Sequence, residues 1–516
     1  MRRLVGALGG VVLVGLGVVP GWAGTVAPLR VISAGSPFAP GCEVTPQPNS
    51  TNYQNAEVEP WVEVNPTDSR NMIAVWQQDR WSNGGAHGLV TVFTKDGGAA
   101  WATRTPHFSR CAGGTAANGG DYDRASDPWV TFAPNGDAYQ ISLSVNLFEN
   151  FVTAILVSKS TDGGDHWSEP VTLIRDTDPR FFNDKETITA DPTDARFVYA
   201  VWDRVNVPPG DVNRFLVGNL EHKRDRGFTG PAMFSRTTDG GHTWEPPRII
   251  YNYNPGANNQ TLGNQIAVLP DGTLVNFFTE FLSFKNSDGG TQNDVNLSLI
   301  RSTDKGATWS HGQPIRAAKE IFQGALDPDT GRPIRAEGVI ADVAVNRTNG
   351  HLYAVWQDLR FRGVDEVAFA RSTDGGLTWS APIRVNQTPA STNPLNQQAF
   401  VPTVHVADDG TIGVTYYDFR FNDTNPGART DYWIVRCKPS GAVTCARQAD
   451  WTDETRLTLT SFDIEQAPAA RGPFGFFVGD YEGLTNVGDD LVPVFVVVND
   501  GHPENRTDVI ETTVGP

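Results

Sequence analysis

Acidic residues and arginines recur at matching positions along this 516-residue chain. Several predicted strands open on acidic residues, namely Glu59, Asp127, Glu186 and Asp480. Other predicted strands end on an aspartate that an arginine follows within two positions, and these arginines are Arg80, Arg204, Arg360 and Arg420. Carboxylates can transfer protons, and arginine binds anions in a fixed geometry. If the fold brings these groups together at one opening, they would suit a polar, hydroxyl-rich or anionic ligand.

The same arginines have a purely structural interpretation. The Asp–Arg pattern recurs once in each of several repeated units. Recurrence of this kind is equally typical of salt bridges that hold one unit to the next. The recurring pattern is therefore compatible both with ligand binding and with structural salt bridges.

A repeated turn of the form Ser/Thr-x-Asp-x-Gly-x-x-Trp organises the chain that carries these residues. Its five copies end at Trp101, Trp167, Trp244, Trp309 and Trp379, with spacings of 66, 77, 65 and 70 residues. Ser/Thr and Asp side chains can accept from backbone N–H groups, Gly permits a positive φ, and Trp buries a large apolar area. Because every position has a structural role, chemistry is expected elsewhere.

Short predicted strands surround each turn, four to a unit. Counting the first two strands of each unit gives seven units, which begin near Glu57, Asp127, Asp184, Asn264, Glu337, Gln398 and Val478. The last unit is one strand short, and Ala27–Ser33 (APLRVIS) resembles the fourth-strand segment Ala381–Gln387 (APIRVNQ). We therefore expect an all-β fold, a β-propeller of seven four-stranded blades closed by an N-terminal strand. Six blades with an extra hairpin is the alternative.

Strand direction places the repeated turns away from the candidate site. Because antiparallel strands alternate in direction, the turns after the third strands lie on the face opposite to the starts of the first strands. The first strands are expected to be innermost. Their acidic starts would then surround the mouth of a central channel.

The N-terminal segment and the net charge indicate where the protein is located and which partners it has. Residues 1–24 are typical of a secretory signal peptide, since Arg2 and Arg3 precede an apolar stretch that ends in small residues. Residues 25–516 are then expected to form one exported, soluble domain, extracellular or periplasmic, without a membrane span.

A net charge of −18 argues against a nucleic-acid partner. No spacing indicates a metal or a cofactor, so none is expected, and the oligomeric state stays open.

The chain contains four cysteines, which an exported protein is expected to pair. Cys437 and Cys445 flank a Pro-Ser-Gly turn, where a disulfide between adjacent strands is expected. Cys42 and Cys111 would then pair by elimination.

The repeats resemble those of the sialidase (neuraminidase) superfamily, in which this turn is called an Asp box or BNR repeat. The resemblance covers about residues 25–516. It implies a propeller that recognises a glycan at the channel mouth and, in an enzyme, an exo-glycosidase of the exo-α-sialidase type. The first unit reads EPWVEVNP where that family's Arg-Ile-Pro motif would stand.

The resemblance also assigns roles to the candidate residues. Tyr481 would be the nucleophile, with Glu482 beside it, or Glu59 or Glu186 from across the channel, as its activating base, and Asp480 would serve acid–base catalysis. A substrate carboxylate would be held by Arg80, Arg204, Arg360 and Arg420, with Asp127 also at the substrate. The alternative is a non-catalytic propeller that binds protein or carbohydrate, in which the arginines are structural.

Overall fold

Antiparallel strands that follow one another as hairpins make up most of the protein. The computed structural model describes residues 25–43, 47–148, 150–208, 229–252, 259–285, 291–310, 312–336, 338–470 and 475–516. The predicted signal peptide, residues 1–24, lies outside the described residues. Among those that are described, no helix has the length and apolar character needed to cross a membrane.

Strands pair mostly in the order in which they occur along the chain, in groups of four, and one residue pair, Ala86 with Ala125, joins the first two groups into an eight-stranded sheet. The first two groups are β2 (Asn52–Val64), β3 (Met72–Trp81), β4 (Ala86–Thr94) and β5 (Ala102–Arg104), then β6 (Arg124–Phe132), β7 (Ala138–Asn146), β8 (Val152–Ser160) and β9 (Val171–Asp176). The next two are β10 (Phe181–Ala190), β11 (Val198–Asn206), β12 (Ala232–Thr237) and β13 (Arg248–Tyr251), then β14 (Gln260–Val268), β15 (Leu274–Lys285), β16 (Thr291–Ser302) and β17 (Ile315–Lys319). We call each group a unit.

The C-terminal part continues the pattern. Its units are β19 (Asp342–Val345), β20 (Leu352–Asp358), β21 (Glu366–Ser372) and β22 (Ile383–Arg384), then β23 (Ala399–Val406), β24 (Ile412–Asp418), β25 (Arg429–Cys437) and β26 (Asp453–Arg456). The short strands β18 (Ile334–Arg335) and β28 (Phe476–Phe477) pair in parallel, and β27 (Phe462–Asp463) pairs with β25. Within the described residues, short 3₁₀ helices span Pro394–Gln397, Gln448–Asp450 and Ile464–Gln466.

The final unit combines both ends of the chain. It contains β29 (Gly483–Val487), β30 (Asp490–Val498), β31 (Thr507–Glu511) and the N-terminal strand β1 (Arg30–Val31). Arg30 lies opposite Glu511, and Val31 lies opposite Ile510. The pairing of the N-terminal segment with the last strand, expected from the sequence, is therefore present.

The first strands of successive units lie against one another around a central cavity. In chain order these strands are β2, β6, β10, β14, β19, β23 and β29, and β29 also lies against β2. The cavity has a volume of about 180 Å³ and is lined by residues of all these strands. It includes the residues that end the first strands, among them Val64, Ala190 and Val345. The fold is thus propeller-like, with its first strands innermost.

The five repeated turns all make the same hydrogen bonds. In the first, the Thr94 hydroxyl donates to Asp96 (2.7 Å) and accepts from the Gly98 N–H (3.0 Å). Asp96 also accepts from the Ala100 N–H (3.0 Å). The boxes therefore satisfy their own polar groups, as expected for structural turns.

Each box also packs against the preceding unit. Trp309 contacts the ring of Phe234 edge-on, with centroids 5.3 Å apart. A Cβ at Gly306 would lie 2.6 Å from Phe234, and the Gly306 φ is 79°. Glycine is required there both by conformation and by the closeness of the neighbouring unit.

Both disulfides expected from the sequence are present, Cys42–Cys111 and Cys437–Cys445. In the β23–β26 unit, the second of these stands where the other units have an Asp box. Trp451 donates to the Cys445 carbonyl oxygen (3.1 Å) and packs edge-on against Phe369 of the preceding unit. The disulfide hairpin thus performs the packing role of the turn that it replaces.

Candidate functional site

A local irregularity turns three side chains toward the channel mouth, by which we mean the end where the first strands begin. Pairing shifts register between Val58 and Trp61 in β2, and at the matching places in β6 and β10. At these shifts Glu59, Asp127 and Lys185 have φ values of 56°, 50° and 52°. A bulge of this kind re-aims a side chain out of the alternating pattern, and the conformation costs about 1–2 kcal/mol per residue.

The three side chains meet a fourth from the segment before β29. Lys185 Nζ lies 2.5 Å from Asp480 Oδ2, 2.8 Å from Asp127 Oδ1 and 3.3 Å from Glu59 Oε1. All four side chains are at least nine-tenths buried. We call these residues, Glu59, Asp127, Lys185 and Asp480, the Lys185 cluster. It joins acidic groups from three separate parts of the chain around one amine.

One ammonium cannot balance three carboxylates, and the protons are distributed unequally. Burial raises the pKa of Glu59 to about 8, although the charge of Lys185 opposes the shift. Burial acts in the same direction on Asp480, but Arg335 and Lys185 outweigh it and hold the pKa of that carboxyl well below its usual range. Glu59 also makes the longest of the three contacts with Lys185. A neutral acid and an ionised carboxylate therefore stand side by side.

Glu186 adds a second buried acid beside the cluster. The side chain is buried, and neither of its carboxyl oxygens has a hydrogen-bond partner within the described residues. Burial, and next the charge of Asp127, raise the pKa of Glu186 well above its usual value. The geometry thus supplies a carboxylic acid whose hydrogen-bonding capacity is unused.

Tyr481 faces the cluster, but it is not activated. Its hydroxyl donates to the Pro128 carbonyl oxygen (3.0 Å), and its ring packs edge-on against Trp129 and Trp61. Burial and the charge of Glu59 raise the pKa of Tyr481 well above its usual value. A tyrosine nucleophile needs a neighbour that removes its proton, and these neighbours favour keeping it.

Glu482 points away from Tyr481. Its carboxyl oxygens accept from the Tyr417 hydroxyl (2.9 Å) and from the Val496 N–H (3.1 Å). The structure therefore does not bring Tyr481 and Glu482 together as a pair. Of the partners proposed from the sequence, Glu59 and Glu186 are the ones whose charges act on Tyr481.

Two arginines border the Lys185 cluster and share one aromatic ring. Arg80 lies 4.7 Å from the centre of the Phe477 ring, and Arg335 lies 4.5 Å from it. Arg335 Nη2 is 3.0 Å from Asp480 Oδ2. Arg80 donates to Gln77, which in turn donates to Glu59. Arg80 is thus the member of the predicted clamp that reaches the cluster.

The other three predicted clamp arginines are held by carboxylates of the framework. Arg204 bonds Asp176 with two nitrogens (2.9 and 2.6 Å), which joins β11 to β9 of the preceding unit. The remaining two bond aspartates of their own units, Arg360 with Asp358 at 2.7 Å and Arg420 with Asp418 at 2.5 Å. The structure does not bring these arginines to the Lys185 cluster, and their contacts match the structural interpretation.

Lys185, Arg335 and Gln77 were not predicted from the sequence. Lys185 precedes Glu186 in NDKET, where only the acidic residues drew attention. Aligning the bulged segments would have found it, because Glu59-Pro60-Trp61, Asp127-Pro128-Trp129 and Lys185-Glu186-Thr187 occupy the same place in their strands. Arg335 stands outside the repeat, and no sequence signal marks it.

Comparisons with known proteins give distant matches. No family model matches the chain. A xyloglucanase from Paenibacillus sp is 24% identical over 269 residues, which are 51% of this chain and 22% of that protein. The chain therefore spans about a fifth of the length of that curated relative.

Solved structures match most of the chain at low sequence identity. A Hadza microbial sialidase is 17% identical and matches 87% of this chain and 75% of its own, with a TM-score of 0.44. An α-L-arabinanase from Penicillium chrysogenum is 13% identical over 94% and 98% of the two chains, with a TM-score of 0.42. An α-L-arabinofuranosidase from Fusarium graminearum is 12% identical over 89% and 94%, also with a TM-score of 0.42.

Proposed function

We propose that this protein is an exported β-propeller that binds a glycan at the channel mouth and hydrolyses a glycosidic bond there. The observation that carries the proposal is the Lys185 cluster, in which Glu59 has a pKa of about 8 while the pKa of nearby Asp480 is lowered. Two carboxyl groups with divergent pKa values are the arrangement that glycoside hydrolysis requires. We further propose seven four-stranded blades closed into a ring, with residues 25–516 as the mature domain.

In this proposal the role of each carboxyl group follows from its protonation state. Glu59, protonated near neutral pH, donates a proton to the leaving oxygen, and ionised Asp480 stabilises the positive charge that develops on the sugar. Lys185 holds Asp127 and Asp480 in position. Glu186 supplies a further hydrogen-bond donor for a sugar hydroxyl.

The charges support a neutral sugar rather than a sialic acid as the ligand. A sialic acid carboxylate needs cations that are free to bind it. Arg204, Arg360 and Arg420 are each neutralised by an aspartate, and Lys185 is already shared by three carboxylates. Sialidases use a tyrosine nucleophile, which must lose its proton. The raised pKa of Tyr481 therefore also favours a neutral sugar as the ligand.

A second candidate function is a non-catalytic scaffold. The observation that favours it is the pairing of three of the four predicted clamp arginines with framework carboxylates, as repeated structural salt bridges would require. In that case the Lys185 cluster would only stabilise the centre of the propeller.

Hydrolysis of a substrate panel separates the two candidates. The mature domain is assayed with xyloglucan, arabinan, neutral aryl glycosides and a fluorogenic sialoside, followed by E59Q and D480N on whichever substrate reacts. We expect cleavage of a neutral glycan and a loss of at least about 100-fold in kcat for each variant. D178N, at an exposed salt bridge with Arg180, is the control that should retain activity.

Two results would count against the enzyme. Absence of product from every substrate, together with binding to a glycan array, supports the scaffold. Full activity in folded E59Q and D480N proteins would remove the cluster from catalysis even if hydrolysis is observed.

A further inference from the structure

A second group of polar side chains surrounds the Cys42–Cys111 disulfide, apart from the Lys185 cluster. Its members are Cys42, Glu43, His87 and Cys111. One sulfur, nitrogen or oxygen atom from each of these four residues lies within 4.8 Å of all the others. The set comprises two cysteine sulfurs, which the disulfide joins, one imidazole and one carboxylate. Once reduced to thiolates, such sulfurs belong with imidazole and carboxylate to the ligand types of tetrahedral zinc sites.

The imidazole is held as a metal ligand would be. His87 Nδ1 lies 3.0 Å from Asp79 Oδ2, and the same carboxyl group accepts from the Ser36 hydroxyl (2.7 Å) and the Asn55 N–H (2.8 Å). If Nδ1–H donates to Asp79 and the ring is neutral, the lone pair of His87 lies on Nε2. A carboxylate behind the far nitrogen of a histidine is a frequent feature of metal sites, because it fixes the ring and its tautomer.

The free nitrogen faces a second acceptor. His87 Nε2 lies 3.1 Å from Glu43 Oε2. Both atoms are buried, and within the described residues neither has a hydrogen-bond partner besides this contact with each other. The His87 side chain is 95% buried, so water does not compensate freely. A proton on Nε2 makes this contact an ion pair, and a metal cation bound by both atoms and by the two sulfurs would take the place of that proton.

The surroundings strengthen the preference for a cation held by thiolates. Cys42 and Cys111 pack against an apolar cluster that includes Ile32, Phe38 and Val90. Low polarity around a site increases the attraction between a metal and its charged ligands. Cys437 and Cys445, by contrast, belong to no such group of potential ligands within the described residues.

We propose that Cys42, Glu43, His87 and Cys111 bind one zinc ion when the Cys42–Cys111 disulfide is reduced, and release it when that disulfide forms. Reduction by a dithiol gives two thiols, which bind Zn²⁺ as thiolates and lose two protons. In the reverse step, a disulfide oxidant takes two electrons from the zinc-bound thiolates and two protons from solvent. The Cys42–Cys111 bond forms, the oxidant becomes two thiols, and Zn²⁺ is released. The fold thus offers two mutually exclusive links between the same segments.

The test uses a background that removes the other thiols. In C437S/C445S, Cys42 and Cys111 are the only cysteines of the chain. This protein is reduced with a phosphine, and zinc binding is measured by competition with a chromophoric chelator, with and without prior oxidation. Cobalt(II) substitution gives an independent readout, because thiolate coordination produces visible absorption bands.

We expect about one zinc per reduced chain and none per oxidised chain. In the reduced background, H87Q and E43Q should each weaken zinc binding by at least about 100-fold, and D79N by about 10- to 100-fold. H166Q is the matched control, because His166 also lies beside two carboxylates, Asp162 and Asp165, but is exposed and has no sulfur nearby. Its zinc stoichiometry should equal that of the background.

Three results would overturn the proposal. They are no zinc bound by the reduced chain at micromolar concentrations, equal zinc binding by the oxidised chain, and unchanged affinity in both H87Q and E43Q. Near-ultraviolet circular dichroism of each variant distinguishes a lost ligand from a lost fold.

Discussion

At the scale of single residues, the centre of the molecule depends on one buried amine. Lys185 is 8% exposed and contacts three carboxylates, of which Asp480 is completely buried. Burial lowers the pKa of Lys185, but the charges of Asp127, Asp480 and Glu59 outweigh it and raise that pKa well above its usual value. Lys185 therefore stays charged, and its removal would leave buried negative charge without compensation.

Replacing Lys185 should accordingly destabilise the fold. K185M leaves Asp127 and Asp480 facing one another, which should reduce the free energy of unfolding by about 3–5 kcal/mol. K438M removes an exposed lysine 2.5 Å from Asp409 and should cost less than about 1 kcal/mol. Urea denaturation of both variants measures the difference. Equal stabilities would show that the Lys185 cluster is not an ionic centre.

Glu59 should make stability depend on pH. Its pKa is about 8 in the folded protein and 4.5 in the absence of the fold, so the folded state binds the proton more tightly. The resulting stabilisation is fully present below about pH 4.5 and is lost as pH rises through about 8. From pH 5 to 9 the wild type should lose more stability than E59Q, in which residue 59 no longer titrates.

The measurement is a series of urea denaturations across that pH range. Glu63, Asp203 and Asp342, whose pKa values are raised to about 7, titrate in both proteins and cancel in the difference. Parallel pH profiles for wild type and E59Q would contradict the shifted pKa.

The candidate site illustrates what residue types alone could and could not show. Glu59, Asp127 and Asp480 became candidates because each was expected to open a strand. The structure instead places Glu59 and Asp127 within β2 and β6, and Asp480 before β29. Their meeting point was not predictable, because a positive φ at Glu59 and Asp127 reverses the alternation on which strand reasoning depends. The pairing of Arg204 with Asp176 depends on the spacing between two units, which no local pattern contains.

At the scale of elements, the Asp box carries packing between units as well as its own turn. In the fourth box Lys305 adopts a φ of 58° where the other boxes have a glycine, and Gly306 follows at 79°. Lysine is tolerated at the first of these positions, but the second lies against Phe234. The repeated sequence pattern was therefore sufficient to predict the turn, whereas the contact with the preceding unit required the structure.

A pair of glycine substitutions separates conformation from contact. G306A introduces a Cβ 2.6 Å from Phe234, so it should cost about 2–4 kcal/mol, the sum of backbone strain and overpacking. G312A also lies at a positive φ, 94°, but has no atom within 4 Å of the new Cβ, so it should cost about 1–2 kcal/mol. Thermal denaturation of both proteins tests which substitution destabilises more. Equal losses of stability would mean that the contact between Gly306 and Phe234 does not contribute.

At the scale of the whole molecule, the order of strands was readable because each unit repeats the last. The similarity of Ala27–Ser33 to Ala381–Gln387 was enough to pair the N-terminus with the last unit. The Ile32 N–H donates to the Val509 carbonyl oxygen (2.9 Å), and the Ala27 N–H donates to that of Thr513 (2.8 Å). Two chain ends separated by nearly the whole sequence thus complete one sheet.

Removing the N-terminal strand should therefore open the edge of the last sheet. A chain of residues 35–516 loses buried Ile32 and its backbone hydrogen bonds, so it should be less stable than residues 25–516 by at least about 3 kcal/mol. The exposed edge of β31 should also promote self-association, detected by light scattering.

A synthetic peptide of residues 25–34 added in trans should restore stability by pairing with that edge. The same peptide carrying I32P lacks the N–H that Val509 accepts and should not restore it. If residues 35–516 match the longer chain in stability and stay monomeric, the N-terminal strand does not close the fold.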